Sequence, residues 1–440
     1  MKKNCWSFLA VLLAALFVSV ASVQAADISF GGQIIDRAEY VDKNEDGDAG
    51  DWKVGQRLRL NTTVKASGVT AFAQLQHVKT WGTTTTNSGG NTWAAGTDDD
   101  TAVGVHQAHL TVPNLYGTGI TAKLGRQEIV LDGHRLFGHT GWHLNAVVHD
   151  AAVLVHPATD IVYAYSVAVG ENSDGNGVNS DMVAHVFRKG LSLAGGKTAL
   201  YAVVADDGRD GDNVTWTTLG VRQAGKAAGY DYRFEYYHQG GTVIPLVTGV
   251  SSWVANNGAD VDAFMFGARL GKKVGGTKVT LWYDYLSGNE DGDASSNDWG
   301  AFHTIADTGH KFYGLIDAFG NAAGSGTDYL GLQDYAIKTV TSVGPGWTLK
   351  VDYHYFMTAS DPGSNTTAWS GETNSGSGCT CTDRDLGDEI DITLKHKYNA
   401  NMSVQLGYSW LNGSETFHNI NQNADNTHQD WVYAQVNFVY

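Results

Sequence analysis

The sequence predicts an all-β fold, a transmembrane antiparallel β-barrel of about 18 strands. Segments of alternating polarity follow one another along the chain, and the connections between them are alternately long and short. The composition is rich in glycine (54) and in aromatic residues (13 Trp, 20 Tyr, 15 Phe) but contains only 5 Pro, and the mean hydropathy is −0.23. These features are typical of strands with one face toward lipid and the other toward water.

The carboxy-terminal segment is the clearest single strand. One face carries Val432, Ala434, Val436, Phe438 and Tyr440, and the other carries Tyr433, Gln435 and Asn437. An amphipathic terminal strand with an aromatic last residue predicts the closing strand of a barrel, where pairing with the first strand removes the open edge.

The amino terminus has the pattern of an export signal, predicted to span residues 1–25. Lys2 and Lys3 precede an apolar run over 8–20, and small residues around Ala25 form a cleavage site. Residues 26–440 are then expected to form one barrel domain. No later apolar stretch is long enough for a spanning helix, so we expect the outer membrane of a Gram-negative bacterium.

The lengths of the connections predict the topology. With odd-numbered strands running outward, both termini lie in the periplasm, the short connections are periplasmic turns and the long ones are extracellular loops. The long connections are expected near 41–52, 82–101, 131–142, 171–180, 206–213, 239–258, 288–327, 359–387 and 412–428.

Alternation within the strands predicts which side chains point inward. A charge that faced lipid near the midplane would cost roughly 2–4 kcal/mol, so charged residues of the strands are expected to face the lumen. On this basis the solute path is lined by Arg57, Arg59, Lys123, Arg222, Arg233, Arg269, Lys350, Glu389, Asp391, Lys395 and Lys397. The predicted lumen is mildly basic although the chain carries a net charge of −17, which makes nucleic acid an unexpected partner.

Other motifs give weaker indications. Asn-Glu-Asp-Gly-Asp-Ala occurs at 44–49 and 289–294, which leaves weak Ca²⁺ binding open beside the simpler interpretation of solvated acidic loops. Otherwise no cofactor and no metal site is predicted, His134, His139 and His143 included. Cys379 and Cys381 form either a strained disulfide or two free thiols. No Gly-x-Ser-x-Gly or similar nucleophile setting appears, so no catalytic residue is predicted and an outer-membrane enzyme is a minor alternative.

Three stretches resemble the alginate-export family of outer-membrane β-barrel porins. They are residues 124–138 followed by Gly141-Trp142 and Asp150, residues 308–317 preceded by Phe302, and residues 385–391. The resemblance implies a monomeric barrel of eighteen strands whose electropositive lumen conducts a polyanion. It adds Arg126 and Arg135 to the predicted solute path.

The longest connection, 288–327, predicts a constriction. Its aromatic residues are too numerous for a free solvated loop, so we expect it to fold into the mouth or lumen. The constriction residues are predicted to be Trp299, Phe302, His310, Lys311 and Asp317.

Together these features predict a channel that passes an anionic solute by passive diffusion, with a uronate polysaccharide such as alginate as one candidate. The expected partners are outer-membrane lipid, the outer-membrane assembly machinery and the anionic solute. A general porin and a scaffold barrel around a partner protein complex are the alternatives.

Overall fold

The computed structural model describes residues 26–42, 50–81, 103–168, 182–207, 214–243, 259–289, 298–319, 325–327, 329–362, 383–421 and 428–440. In them, eighteen antiparallel strands close into one barrel, as the sequence predicts. The strands are β1 (Asp27–Asp42), β2 (Asp51–Ala66), β3 (Val69–Thr80), β4 (Gly104–Val112), β5 (Thr121–Gln127), β6 (His149–His156), β7 (Ile161–Ala168), β8 (Met182–Leu193), β9 (Gly196–Asp207), β10 (Val214–Ala227), β11 (Tyr230–Val243), β12 (Ala259–Val274), β13 (Thr277–Leu286), β14 (Leu332–Gly344), β15 (Trp347–Met357), β16 (Asp385–Lys397), β17 (Met402–Gly413) and β18 (His428–Val439).

Each strand pairs with its neighbours in the chain, and the barrel closes between β1 and β18. The closing register runs from Gln33 opposite Val439 to Asp42 opposite Asp430. β13 and β14 pair directly, although the longest connection lies between them. A two-residue strand, Asp298–Trp299, adds to β12 in parallel from inside that connection, and a short helix, α1 (Glu415–Asn421), follows β17.

The connections alternate in length as predicted. The short ones are 67–68, 113–120, 157–160, 194–195, 228–229, 275–276, 345–346 and 398–401, and they gather at one end, which we call the short-turn end. The other end, the long-loop end, carries the long connections. The predicted signal segment, Cys379, Cys381 and most of both acidic repeats lie outside the described residues.

The outer surface of the barrel is apolar. Phe30, Leu219, Leu281 and Ile337 are exposed there, with Phe30 at 80%. The residues that alternate with them point inward and are polar, charged or packed against inner segments. No described helix is long and apolar enough to span a membrane.

The core of the protein lies inside the barrel. Two segments fold into it: the first inner loop (128–148), between β5 and β6, and the second inner loop (298–319), between β13 and β14. They are joined by backbone hydrogen bonds from Gly138 to Ala306 (2.7 Å), from Ala306 to Leu136 (2.9 Å) and from Thr308 to His134 (3.1 Å). Their buried residues form one apolar cluster with the wall, which includes Leu136, Phe137, Phe302, Phe312 and Phe319.

Candidate functional site

Arg135 joins both inner loops to the barrel wall. Its side chain is fully buried, and its Nη2 donates to Asp284 Oδ2 on β13 at 2.5 Å while Nε lies 3.4 Å from Glu235 Oε2 on β11. Nη1 donates to the Tyr313 hydroxyl at 2.5 Å, and the guanidinium lies 3.8 Å from the centre of the Phe312 ring. Burial by itself would lower the pKa of Arg135, but the neighbouring Asp284, Tyr313 and Glu235 raise its pKa, so the group stays charged.

A cluster of cations lines the wall beside this contact, and we call it the basic wall. Trp282 on β13 is its centre, with the guanidinium carbon of Arg269 at 3.0 Å, Lys338 Nζ at 4.8 Å and the guanidinium carbon of Arg233 at 5.3 Å from the ring centroid. Register explains the grouping, because Arg233 pairs with Arg269 and Arg269 pairs with Trp282 across three successive strands. Alternation of side chains then places all three on the inner face.

The basic wall contains more cations than carboxylates. Arg222 and Arg233 share one oxygen of Glu235, at 3.1 and 3.4 Å, and Lys338 lies 3.5 Å from Asp352. Lys311 of the second inner loop reaches the same region, where its Nζ donates to the Gly133 carbonyl at 3.2 Å. Burial, followed by the charge of Arg233, lowers the pKa of Lys311.

The guanidinium group of Arg269 has unsatisfied hydrogen-bond donors among the described residues. None of its three guanidinium nitrogens has a hydrogen-bond acceptor among the described residues, and its nearest carboxylate oxygen, on Asp284, is 3.6 Å away. Arg233 Nη2 likewise lacks an acceptor within the described part of the chain. Buried donors of this kind are normally satisfied by water or a ligand, so the basic wall has N–H groups available for hydrogen bonds to either.

A carboxylate cluster faces inward on β14, β15 and β16, and we call it the acidic wall. Asp334 Oδ1 lies 2.8 Å from His354 Nδ1, and His354 Nε2 lies 3.9 Å from Asp391. Glu389 Oε1 accepts the backbone N–H groups of Leu315 (2.6 Å) and Ile316 (3.0 Å). The acidic wall therefore holds the second inner loop.

Gly314 allows this close approach. It has φ +83°, and a Cβ at this position would lie 2.3 Å from Glu389 Oε2. Glycine fits because it tolerates the left-handed conformation and leaves room for the carboxylate.

An aromatic cluster fixes both loops to β18. The ring of Trp142 stacks on His310 with a centroid distance of 4.7 Å and packs edge-on against Trp431 and Tyr433 of β18. Arg37 covers the ring at 4.4 Å, and His310 Nδ1 lies 2.7 Å from Asp317. The predicted constriction residues His310 and Asp317 thus hold the second inner loop against the first, while Trp299 and Phe302 are buried in the apolar cluster.

Arg57 and Arg59 point inward as predicted, but they bind the first inner loop. Arg57 Nη1 donates to the carbonyls of His143 (3.2 Å) and Leu144 (3.1 Å). Arg59 pairs with Glu128 at 3.3 Å and donates to Gln76 at 2.7 Å. Most of the N–H groups of both guanidinium groups are therefore bonded to the chain itself, and Arg57 Nε is the one without an acceptor among the described residues.

Lysines dominate the inner face toward the short-turn end. The predicted residues Lys123, Lys350, Lys395 and Lys397 lie there at inward positions of the alternation. Asp231 on β11 binds two further lysines, Lys278 on β13 at 2.6 Å and Lys226 on β10 at 3.3 Å. This basic vestibule leads to the basic wall.

Arg126 is a correction to the predicted solute path. Arg126 pairs in register with Ala108 and Asp150. Each of these three residues is two positions along its strand from the outward row of Leu110, Leu124 and Ala152, so Arg126 also lies on the outer face. Arg126 comes three residues after the inward Lys123, and two residues an odd number apart in one unbroken strand face opposite sides.

Several residues of the site were not anticipated from the sequence. Trp282 lies two residues from the inward Asp284, and Lys338 lies four residues from the inward Asp334. An even separation within one strand places both on the inner face, so alternation alone would have identified them. The contact of Asp132 with Arg188 (2.9 Å) and with the Tyr201 hydroxyl depends on the path of the first inner loop, for which the sequence carries no periodic signal. Among the described residues, no group of three His, Cys, Asp or Glu side chains is arranged to hold a metal ion.

Asp307 gives the second inner loop a pH dependence. Its Oδ2 is shielded from solvent and has no hydrogen-bond partner among the described residues, and burial raises the pKa of Asp307 to about 7. Because this pKa is above the ordinary value of 3.8, the folded loop retains the proton longer than the unfolded chain, so its stability is greatest at low pH and falls as pH rises toward 7.

We expect backbone amides of 299–319 to exchange with deuterium about tenfold faster at pH 8 than at pH 5.5, after correction for intrinsic rates. Asp307→Asn should remove most of this difference. Equal protection of the wild-type loop at both pH values would contradict the assignment.

No protein-family model matches the sequence, and no curated protein matches it. Solved structures with the same fold are similar over almost the whole chain. The outer membrane protein OprD from Pseudomonas aeruginosa has a TM-score of 0.57 at 12% identity and covers 96% of each chain. Acinetobacter baumannii OccAB4 has a TM-score of 0.56 at 10% identity, covering 96% of this chain and 100% of that one. Pseudomonas aeruginosa OccK5 (OpdH) has a TM-score of 0.54 at 11% identity, covering 94% and 98%. These likenesses establish the eighteen-stranded porin fold and do not show the alginate-export family.

Proposed function

We propose that the protein is a passive channel for small anionic solutes, carboxylates above all, in the outer membrane of a Gram-negative bacterium. The observation that carries the proposal is the basic wall, where Arg269 and Arg233 keep buried N–H groups without acceptors in the described residues. A closed barrel with an apolar exterior and a charged interior belongs in that membrane, because closure leaves no unpaired edge in lipid.

The basic wall suits a carboxylate for a direct physical reason. An anion that enters a narrow pore loses water and needs hydrogen-bond donors in exchange, and guanidinium groups supply them in a fixed geometry. Glu235 and Asp284 keep the arginines in place and offset part of their charge. Partial neutralisation lets the solute leave again, as passive flow requires.

The basic vestibule supports the same function. Lysines at inward positions near the short-turn end raise the local concentration of anions and repel cations. If the short-turn end is periplasmic, as the sequence predicts, the vestibule lies on the periplasmic side of the basic wall.

A small solute suits the lumen better than a polymer or a protein. Both inner loops lie in the lumen and are fixed to its wall at Arg135 (β11 and β13), at Glu389 (β16) and at Trp142 (β18). A uronate polymer such as alginate would have to pass the two inner loops. A scaffold barrel would need the part of the lumen that these loops occupy to hold its partner protein. A general porin is the remaining alternative, and ion selectivity separates it from the proposal.

Reversal potentials in planar bilayers under a KCl gradient test the proposal. We expect the wild-type channel to prefer Cl⁻ over K⁺, and the double variant Arg233→Gln/Arg269→Gln to lose that preference by about fivefold or more, since two of the donors in the path are neutralised. Lys272→Gln is the control, because Lys272 lies on the outer face, where its Nζ approaches the Tyr230 hydroxyl. A wild-type channel without anion preference would refute the anionic solute and favour a general porin.

A further inference from the structure

The outer face of the barrel carries an ion pair where lipid would be expected. Arg126 on β5 and Asp150 on β6 are joined by two hydrogen bonds of 2.9 and 2.8 Å. Both point away from the lumen, and their side chains are 28% and 56% exposed. A charged side chain on the lipid face costs up to about 2–4 kcal/mol, the more the closer it lies to the midplane.

The strands around this pair are short. β5 has 7 residues and β6 and β7 have 8 each, whereas a tilted strand needs about 9–11 residues to span the bilayer. Arg126 and Asp150 lie one position from the last pair, Gln127 and His149, where β5 turns into the lumen. The barrel wall is therefore shorter here than the thickness of the bilayer. A lipid molecule beside it would contact both the ion pair and the strand ends.

A second polar contact lies on the same face. Asp36 on β1 accepts a hydrogen bond of 2.6 Å from Gln56 on β2, and both residues are at outward positions. Asp36 is six residues from the outward Phe30 and four from the outward Tyr40, whose ring centroid lies 5.2 Å from that of Trp52. The carboxylate thus lies between aromatic residues that mark the two edges of the apolar band.

Elsewhere on the described exterior, charges lie close to strand ends. Asp262, Asp388 and Asp430 each occur within the first four residues of their strands at the long-loop end. Between these ends the outer face is rich in aromatic pairs, such as Phe234 with Phe266 and Tyr283 with Tyr335. Arg126, Asp150 and Lys79 also lie one position from a strand end, so the face formed by β1–β6 differs from the rest of the barrel in two respects: Asp36 lies in the middle of β1, and β5 and β6 are short.

We propose that the outer face of β1–β6 is an interface on which a second copy of this chain docks within the membrane. The face carries both signs of charge, with Arg126 and Lys79 against Asp150 and Asp36, so two copies can meet without net repulsion. A protein neighbour also explains the short wall, because it supplies hydrogen-bonding groups where lipid cannot.

The available area is sufficient for a specific interface. Six strands at about 4.8 Å spacing and an apolar band about 25 Å tall give roughly 700 Å² on each copy, close to the roughly 800 Å² per partner of a standard interface. The proposal replaces the monomer implied by the family resemblance, and it does not depend on which solute the channel passes.

Disulfide cross-linking in isolated outer membranes tests the docking, with the full chain carrying Cys379→Ser and Cys381→Ser. Ala108→Cys lies beside Arg126 on the exposed outer face and should give a covalent species of twice the monomer mass under mild oxidation. Leu219→Cys, on the outer face of β10 and 54% exposed, should remain monomeric. A monomer in both variants, or a cross-link of Ala108→Cys to a different protein, would overturn the proposal.

Charge exchange tests the contact itself. Native mass spectrometry should show mainly oligomer for the wild type, and Arg126→Asp and Asp150→Arg should each shift at least tenfold toward monomer. The double variant Arg126→Asp/Asp150→Arg should recover the oligomer. Asp262→Arg, on the outer face of β12, should leave the wild-type distribution unchanged, and heat-modifiable mobility shows that each barrel is folded. A folded double variant that stays monomeric would also overturn the proposal.

Discussion

Arg135→Met is expected to release the first inner loop and to destabilise the closed lumen by about 3–5 kcal/mol. The substitution keeps most of the side-chain volume but leaves Asp284 and Glu235, both buried, without their central cation. It also removes the donor to Tyr313 and the cation above the Phe312 ring, so both inner loops lose the same fixed point. The temperature at which the barrel loses its heat-modifiable form should fall, and single channels should fluctuate between conductance levels.

Lys226→Met is the matched control. Lys226 pairs with Asp231 at 3.3 Å, but its side chain is 85% exposed, so its loss should cost no more than about 1 kcal/mol. If the Arg135→Met and Lys226→Met variants lost their heat-modifiable form at the same temperature, the contacts of Arg135 would not be what holds the inner loops in place.

Gly314→Ala is expected to increase single-channel conductance severalfold. The new Cβ would lie 2.3 Å from Glu389, and alanine also disfavours the φ of +83° at this position. The clash is relieved when the segment and the Glu389 carboxylate move apart, which breaks the hydrogen bonds from Leu315 and Ile316 to Glu389. The path between the walls then widens while the barrel wall stays intact.

Gly276→Ala provides the comparison, since a Cβ at this short turn would meet nothing within 4 Å. Its conductance should equal that of the wild type. A Gly314→Ala channel with wild-type conductance and a folded barrel would show that the second inner loop does not limit the flow of ions.

Alternation accounts for what the sequence could predict. The strands around Arg233, Glu235 and Asp284 have a strict period of two, so both the barrel and the inward direction of these charges follow from the sequence. The same rule separates Lys123 from Arg126, whereas the motif that contains Arg126 carries no information about which face of the strand this residue occupies.

The inner loops show where such prediction ends. The aromatic residues of 298–319 indicate that this segment is buried, but 128–148 is rich in Gly and His and has no period that indicates its destination. Its path depends on Arg37 and Arg57, which donate to backbone carbonyls at Trp142, His143 and Leu144. Any residue can supply a carbonyl, so these contacts leave no trace in the side-chain sequence.

The closing seam between β1 and β18 fixes the order of biogenesis. Gln33 and its partner Val439 are separated by nearly the whole chain, so the seam cannot form until the last strand is available. Until then both terminal strands expose unpaired edges, and the apolar outer rows that end in Phe438 and Tyr440 face water. The chain must therefore be kept apart from its own copies before closure, and its inner loops have to enter the lumen before, or as, the seam closes around them.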